Sequence, residues 1–194
     1  MKIPTFNAQT EWVIPTEFPD LRQVDEIAID LETKDPDLIK KGSGSIIGNG
    51  ASSHKNRNID FPYIVDNNIK NRLETEINIF GELYGIPTDL KISQIWSNIQ
   101  NSDSVLHEHS HPNSIISGAL YINVDDSCSI TFHNPNPYVY FTNALENTPY
   151  NFEWCKYSVE NGDLLLFPSW LRHGHPEHIN QMDGRICISF NSEY

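Results

Sequence analysis

The chain has 194 residues, 38% of them hydrophobic and 11% aromatic, and a net charge of −13 at pH 7. This is the size of one ordinary domain, apolar enough to bury a core and too acidic to favour a nucleic-acid partner, since no local basic patch offsets the field. The longest apolar runs, such as LLLF at 164–167, fall far below the roughly 18 residues of a membrane span, MKIPTFNAQTEW lacks the apolar core of a signal peptide, and Cys128, Cys155 and Cys187 are odd in number and widely spaced, all of which points to a cytoplasmic chain with reduced thiols.

Residues 1–50 contain the alternating segment IAIDL between acidic flanks, followed by the glycine-rich KKGSGSIIGNG, which reads as a strand and then a turn or connection. Residues 51–65, polar and then aromatic, read as a linker. From Asp66 the spacing becomes helical: Ile69, Leu73, Ile77, Phe80 and Tyr84 share one face, Asp66 stands where a cap belongs, and Gly85 and Pro87 end the pattern. Beyond Pro87 come KISQIWSNI, SVLHEH, IISGALYINV, SCSITFH, NFEWCKYSV, DLLLF and RICISFN, short strand-like runs parted by Asn, Asp, Pro and Gly. They predict a mainly β domain over 66–194, an antiparallel sandwich or barrel preceded by one supporting helix.

Two histidine clusters stand out. In HEHSHP, His107, His109 and His111 alternate, so a strand running through them puts all three on one face and Glu108 on the other. Imidazoles about 7 Å apart along a strand converge on one ion only where the strand bends or ends, so two ligands from this run are expected rather than three. A third ligand must come from elsewhere, and FPSWLRHGHPEH offers His173, His175 and His178 just after the strand GDLLLF. Of these His173 is the best placed. No CxxC pair supports a zinc finger, and no GxSxG elbow supports a serine hydrolase.

The ordered motifs IWSNI, HEHSHPNSIISGALYINV, NGDLLLFPSWLRHGHP and RICISFN, spread over residues 92–191, resemble those of the Fe(II)- and 2-oxoglutarate-dependent oxygenases, most closely an oxygenase group found in bacteria and phages. The resemblance implies a double-stranded β-helix, a jelly-roll or cupin-like barrel with iron inside one end. It implies a His-x-Asp/Glu pair and a distal histidine as ligands, which leaves open positions for bidentate 2-oxoglutarate and O2. Carried onto this chain, the ligands are His109, His111 and His173, with His107 as the substitute; a histidine stands where relatives have a carboxylate. The resemblance likewise assigns Arg185 to the far carboxylate of 2-oxoglutarate, with Tyr121 and Asn98 as further contacts to that cosubstrate, and Cys187 where some relatives have serine. Trp96, Phe167 and Trp170 are candidate apolar walls. The implied activity is a dioxygenase that hydroxylates a peptidyl or small-molecule substrate and releases succinate and CO2. A non-catalytic cupin-like metal or ligand binder is the alternative that the absent carboxylate keeps open.

At the front, residues 11–50 resemble the start of the 3′–5′ exonuclease domain of family A DNA polymerases, with Asp30 and Glu32 in its Asp-x-Glu pattern. Two metal ions need more carboxylates than these two, and the later motifs of that family are not recognisable. The resemblance therefore implies a borrowed fragment that adds an edge strand, not a nuclease. If the chain is phage-encoded, its expected location is the host cytoplasm.

Overall fold

In the structure, a computed structural model, the described residues are 14–17, 40–41, 46–54, 67–87, 89–136, 146 and 151–194. Asp30, Glu32, the IAIDL segment and Asp66 lie outside them. The elements are β1 (Ile14–Glu17), β2 (Lys40–Lys41), β3 (Ile46–Ile47), β4 (Gly50–Ser52), the helix α1 (Asn67–Leu83), β5 (Lys91–Gln100), β6 (Val105–Leu106), β7 (Ile116–Asn123), β8 (Ser129–His133), β9 (Trp154–Ser158), β10 (Asp163–Pro168) and β11 (Arg185–Glu193). A seven-stranded sheet runs β1-β10-β7-β11-β5-β4-β2, with every pair antiparallel, and β3 pairs with β6 and β8 with β9 in two small sheets. The molecule is mainly β. Among the described residues no helix is long and apolar enough to cross a membrane.

Strand periodicity divides the large sheet into two faces. Along β11, Ile186, Ile188 and Phe190 join the core under the helix, while Arg185, Cys187, Ser189 and Asn191 line a cavity on the other side. The neighbouring β5 does the same with Ile95 and Ile99 against Trp96, Asn98 and Gln100. A register shift at Asn191/Ser192 skips Ser93, and this bulge returns Ile92 to the helix side. On β10, Leu164 and Leu166 pack toward the helix and Leu165 and Phe167 toward the small sheets, which is why LLLF is apolar without alternation.

Helix α1 buries Ile69, Leu73, Ile77 and Phe80, spaced by four, four and three. Two polar side chains lock it to the start of β5. Glu74 accepts from the Ile92 amide at 3.2 Å and holds Lys91 at 3.2 Å, and the Asn78 amide both accepts from and donates to the Leu90 backbone at 3.0 Å. At the C-terminus Gly85 has φ +65°, and Ile86 N–H donates to Gly81 C=O while Gly85 N–H donates to Glu82 C=O, both at 3.0 Å. That double bond closes the helix where the glycine predicts.

The front of the chain is built into the sheet rather than hung from it. The strand β1 pairs with β10 at one edge, β2 and β4 extend the other edge beside β5, and β3 pairs with β6. Residues 51–54, the start of the stretch 51–65 that reads as a linker, therefore run alongside the cavity.

Candidate metal centre

The strand expected through HEHSHP ends early. Beyond Leu106 the run is irregular, and His109 is held by a reciprocal pair of backbone hydrogen bonds with His173, 2.9 Å each way, while His111 N–H donates to Ser169 C=O at 2.8 Å. These ties set the two histidine-bearing segments side by side. The rings of His109, His111 and His173 lie 4.2–5.1 Å apart by centroid, and their candidate ligand atoms all fall within 4.8 Å of one another. Among the described residues this is the one group of three or more such side chains. His107 is exposed and outside it. Glu108 turns the opposite way, pairing with Arg172 and lying 3.6 Å from His133 Nδ1.

The donor set fits a divalent transition metal. His109 Nδ1 lies 2.7 Å from the His107 carbonyl and His173 Nδ1 3.0 Å from the Leu171 carbonyl. A carbonyl can only accept, so Nδ1 carries the proton in both rings and each Nε2 keeps its lone pair for the cavity. His111 Nε2 and His173 Nε2 are 3.2 Å apart. Two nitrogens bound about 2.1 Å from one ion would stand roughly 3.0–3.4 Å apart. Burial is the first cause lowering all three imidazoles: it lowers His109, takes His173 well below the ordinary value, and, aided by electrostatic repulsion from His109 and against a hydrogen bond to Asn191, brings His111 to about 4.

Around the rings lies a cavity of 590 Å³ that reaches Arg185, Tyr121 and Asn98. Arg185 opens β11 opposite Gln100 and is 7% exposed. Its guanidinium donates to Gln100 Oε1 and, at 3.2 Å, to Ser129 C=O, and lies 5.6 Å from the centre of the Tyr121 ring. Its Nε is buried without a hydrogen-bond partner, and no carboxylate of the described residues pairs with it. A buried cation with only neutral partners is a ready anion site. Burial raises the Tyr121 phenol and the Cys187 thiol, so both keep their protons. Asn98 sits mid-strand and donates to Ser189 Oγ at 3.0 Å.

Trp96 and Phe167 line the cavity, and Trp96 stacks on His111 at 5.6 Å and 23°. Trp170 does not: it is 51% exposed, because the turn after Pro168 carries it outward, and it is no wall. His175 and His178, the rest of the second cluster, stack on each other at 4.4 Å beside Trp154, away from the three-histidine group. They border a second cavity of 450 Å³ that shares Gln100, Leu106, Ile130 and Arg185 with the first.

Two features escaped the sequence. His54 lines the metal cavity edge-on to Trp96 at 4.5 Å, and nothing in the polar stretch around it foretells that β4 pairs with β5. Beneath His111, Ser117 Oγ joins Asn191 Oδ1 and Ser169 Oγ, each at 2.8 Å, tying β7, β11 and the turn after β10 together. The serine in FPSW was the available signal.

A family profile described as "Putative 2OG-Fe(II) oxygenase" matches residues 94–191. No curated protein sequence matches the chain. Among solved structures it is similar to a Trichoplax adhaerens prolyl hydroxylase in complex with a hypoxia inducible factor peptide fragment (12% identity, TM-score 0.59, covering 95% of this chain and 84% of that one). It is also similar to HygX from Streptomyces hygroscopicus with nickel, 2-oxoglutarate and hygromycin B (14%, 0.55, 98% and 87%). A Pseudomonas putida prolyl-4-hydroxylase gives 12%, 0.55, 95% and 92%. The chain spans 55% of the length of a further oxygenase of this kind, from Burkholderia pseudomallei. At these identities the likeness is one of fold.

Proposed function

The chain belongs to the 2OG-Fe(II) oxygenase family, and from that premise we propose that it is a hydroxylase on a double-stranded β-helix, with His109, His111 and His173 as the iron ligands. Its cofactor is Fe(II) and its cosubstrate 2-oxoglutarate. The observation that supports this best is one cavity holding three converging neutral imidazoles together with a buried guanidinium that has no counter-ion among the described residues. When bound, Fe(II) and 2-oxoglutarate supply the activation of O2, with succinate and CO2 as products.

The chain's own side chains divide the remaining work. Three Nε2 lone pairs hold the metal without adding charge. Arg185 offers its fork to the far carboxylate of the cosubstrate, and the protonated Tyr121 phenol and the Asn98 amide add hydrogen bonds to it. Trp96 and Phe167 keep water from the reacting centre. The substrate is a peptide or a small molecule, the two kinds of molecule bound in the Trichoplax and HygX structures respectively.

Anaerobic protein mixed with Fe(II) and 2-oxoglutarate should develop a weak visible charge-transfer band, and O2 should then yield succinate. Arg185→Met should keep Fe(II) and lose the band at cosubstrate concentrations that saturate the wild type. A wild-type chain that gives neither band nor succinate overturns the proposal and leaves the non-catalytic binder standing.

A further inference from the structure

The two segments that carry the three histidines are not parts of a continuous ladder. His109 meets His173 through an isolated bridge, and β6 ends before the first histidine. Their separation and tilt thus rest on few bonds, and the side chains that cross between them count for more than they would in a long strand pair. One such crossing exists on the outer face. Glu108, immediately before His109, pairs with Arg172, immediately before His173, and lies 3.6 Å from His133 Nδ1. His133 is itself bound to both sides of the junction, its N–H donating to Arg172 C=O at 2.9 Å and its Nε2 to Gly174 C=O at 2.7 Å.

Glu108 is also one peptide away from the atom that orients the His109 ring. The carbonyl that fixes the His109 Nδ1–H belongs to His107, so its direction is set by the peptide joining His107 to Glu108. Pairing the Glu108 carboxylate with Arg172 restrains that peptide and, through it, the direction of the His109 Nε2 lone pair. Resting on the iron assignment above, we propose that Glu108 is a positioning residue: its tie to Arg172 holds the His109 and His173 segments at metal-binding distance from outside the cavity. The carboxylate of HEHSHP serves the metal without touching it.

Stability and metal affinity separate the two possible roles. The Glu108 side chain is 22% exposed and that of Arg172 61%, and ion pairs this open add little to folding. The test is Co(II) affinity and the Co(II) d–d spectrum of the full chain, with thermal unfolding of the metal-stripped protein alongside. Glu108→Gln should weaken Co(II) binding about 10- to 100-fold and shift the d–d bands, with the metal-stripped midpoint nearly unchanged. Arg172→Met should do the same, the two should be non-additive, and the charge swap Glu108→Arg with Arg172→Glu should recover most of the loss. Affinity within twofold of wild type in Glu108→Gln, or strict additivity of the pair, overturns the role. The iron assignment fails separately, if His111→Ala binds Co(II) as the wild type does.

Discussion

An imidazole at position 111, where the family resemblance implies a carboxylate, would change the charge of the proposed centre as well as its shape. With three neutral donors a bound divalent ion would keep its full double charge, and its affinity would depend on how well the three lone pairs converge. Removing one should be severe: His111→Ala is expected to lower Fe(II) or Co(II) affinity by more than about 100-fold by competition titration, whereas His107→Ala, exposed and outside the group, should stay within about twofold. A second residue acts through space alone. Gly174 has φ +87°, and a Cβ there would lie 2.6 Å from the His107 carbonyl oxygen, the same atom that fixes the His109 ring. Gly174→Ala should therefore push that carbonyl aside and cost metal affinity about 10-fold or more, read in the same titration, with a loss of stability from the strained φ.

Elements that announce themselves in the sequence are those whose pattern is local. Spacing by three and four gives the helix, and Leu73→Ala at its buried centre should lower stability by about 2–5 kcal/mol in urea unfolding. Alternation gives β11 its two faces, whereas His109 and His111, singled out by the family resemblance, come together on irregular backbone and not on the strand that their spacing suggests. What stayed hidden depends on partners far away in the chain. Two- and three-residue strands such as β3 and β4 have no period to detect, so residues 46–54 looked like connection and His54 like a linker residue. The ion pair of Glu108 with Arg172 joins positions 64 apart, and only the meeting of the two histidine segments creates it. Trp170 fails in the opposite sense, since an aromatic beside a ligand motif suggests a wall and the turn sends it to solvent.

Across the whole molecule, burial of neutral histidines makes stability depend on pH. Each of the three has its folded pKa depressed, His111 from 6.5 to about 4, so an unfolded chain takes up protons that the folded one refuses. For metal-stripped protein the contribution is intact above pH 6.5 and is lost as the pH falls through about 4. Urea midpoints should accordingly decline across that window, and His111→Ala should decline less steeply. The strand leading to His173 carries a different consequence. Because β10 is covered on both faces and paired on both edges, its amides are expected among the slowest to exchange, read by hydrogen exchange. His173, the proposed distal ligand, follows a strand paired on both edges, while His109 and His111 sit on irregular backbone beyond a two-residue strand. A metal held by these three would join an irregular segment to the end of a fully paired strand.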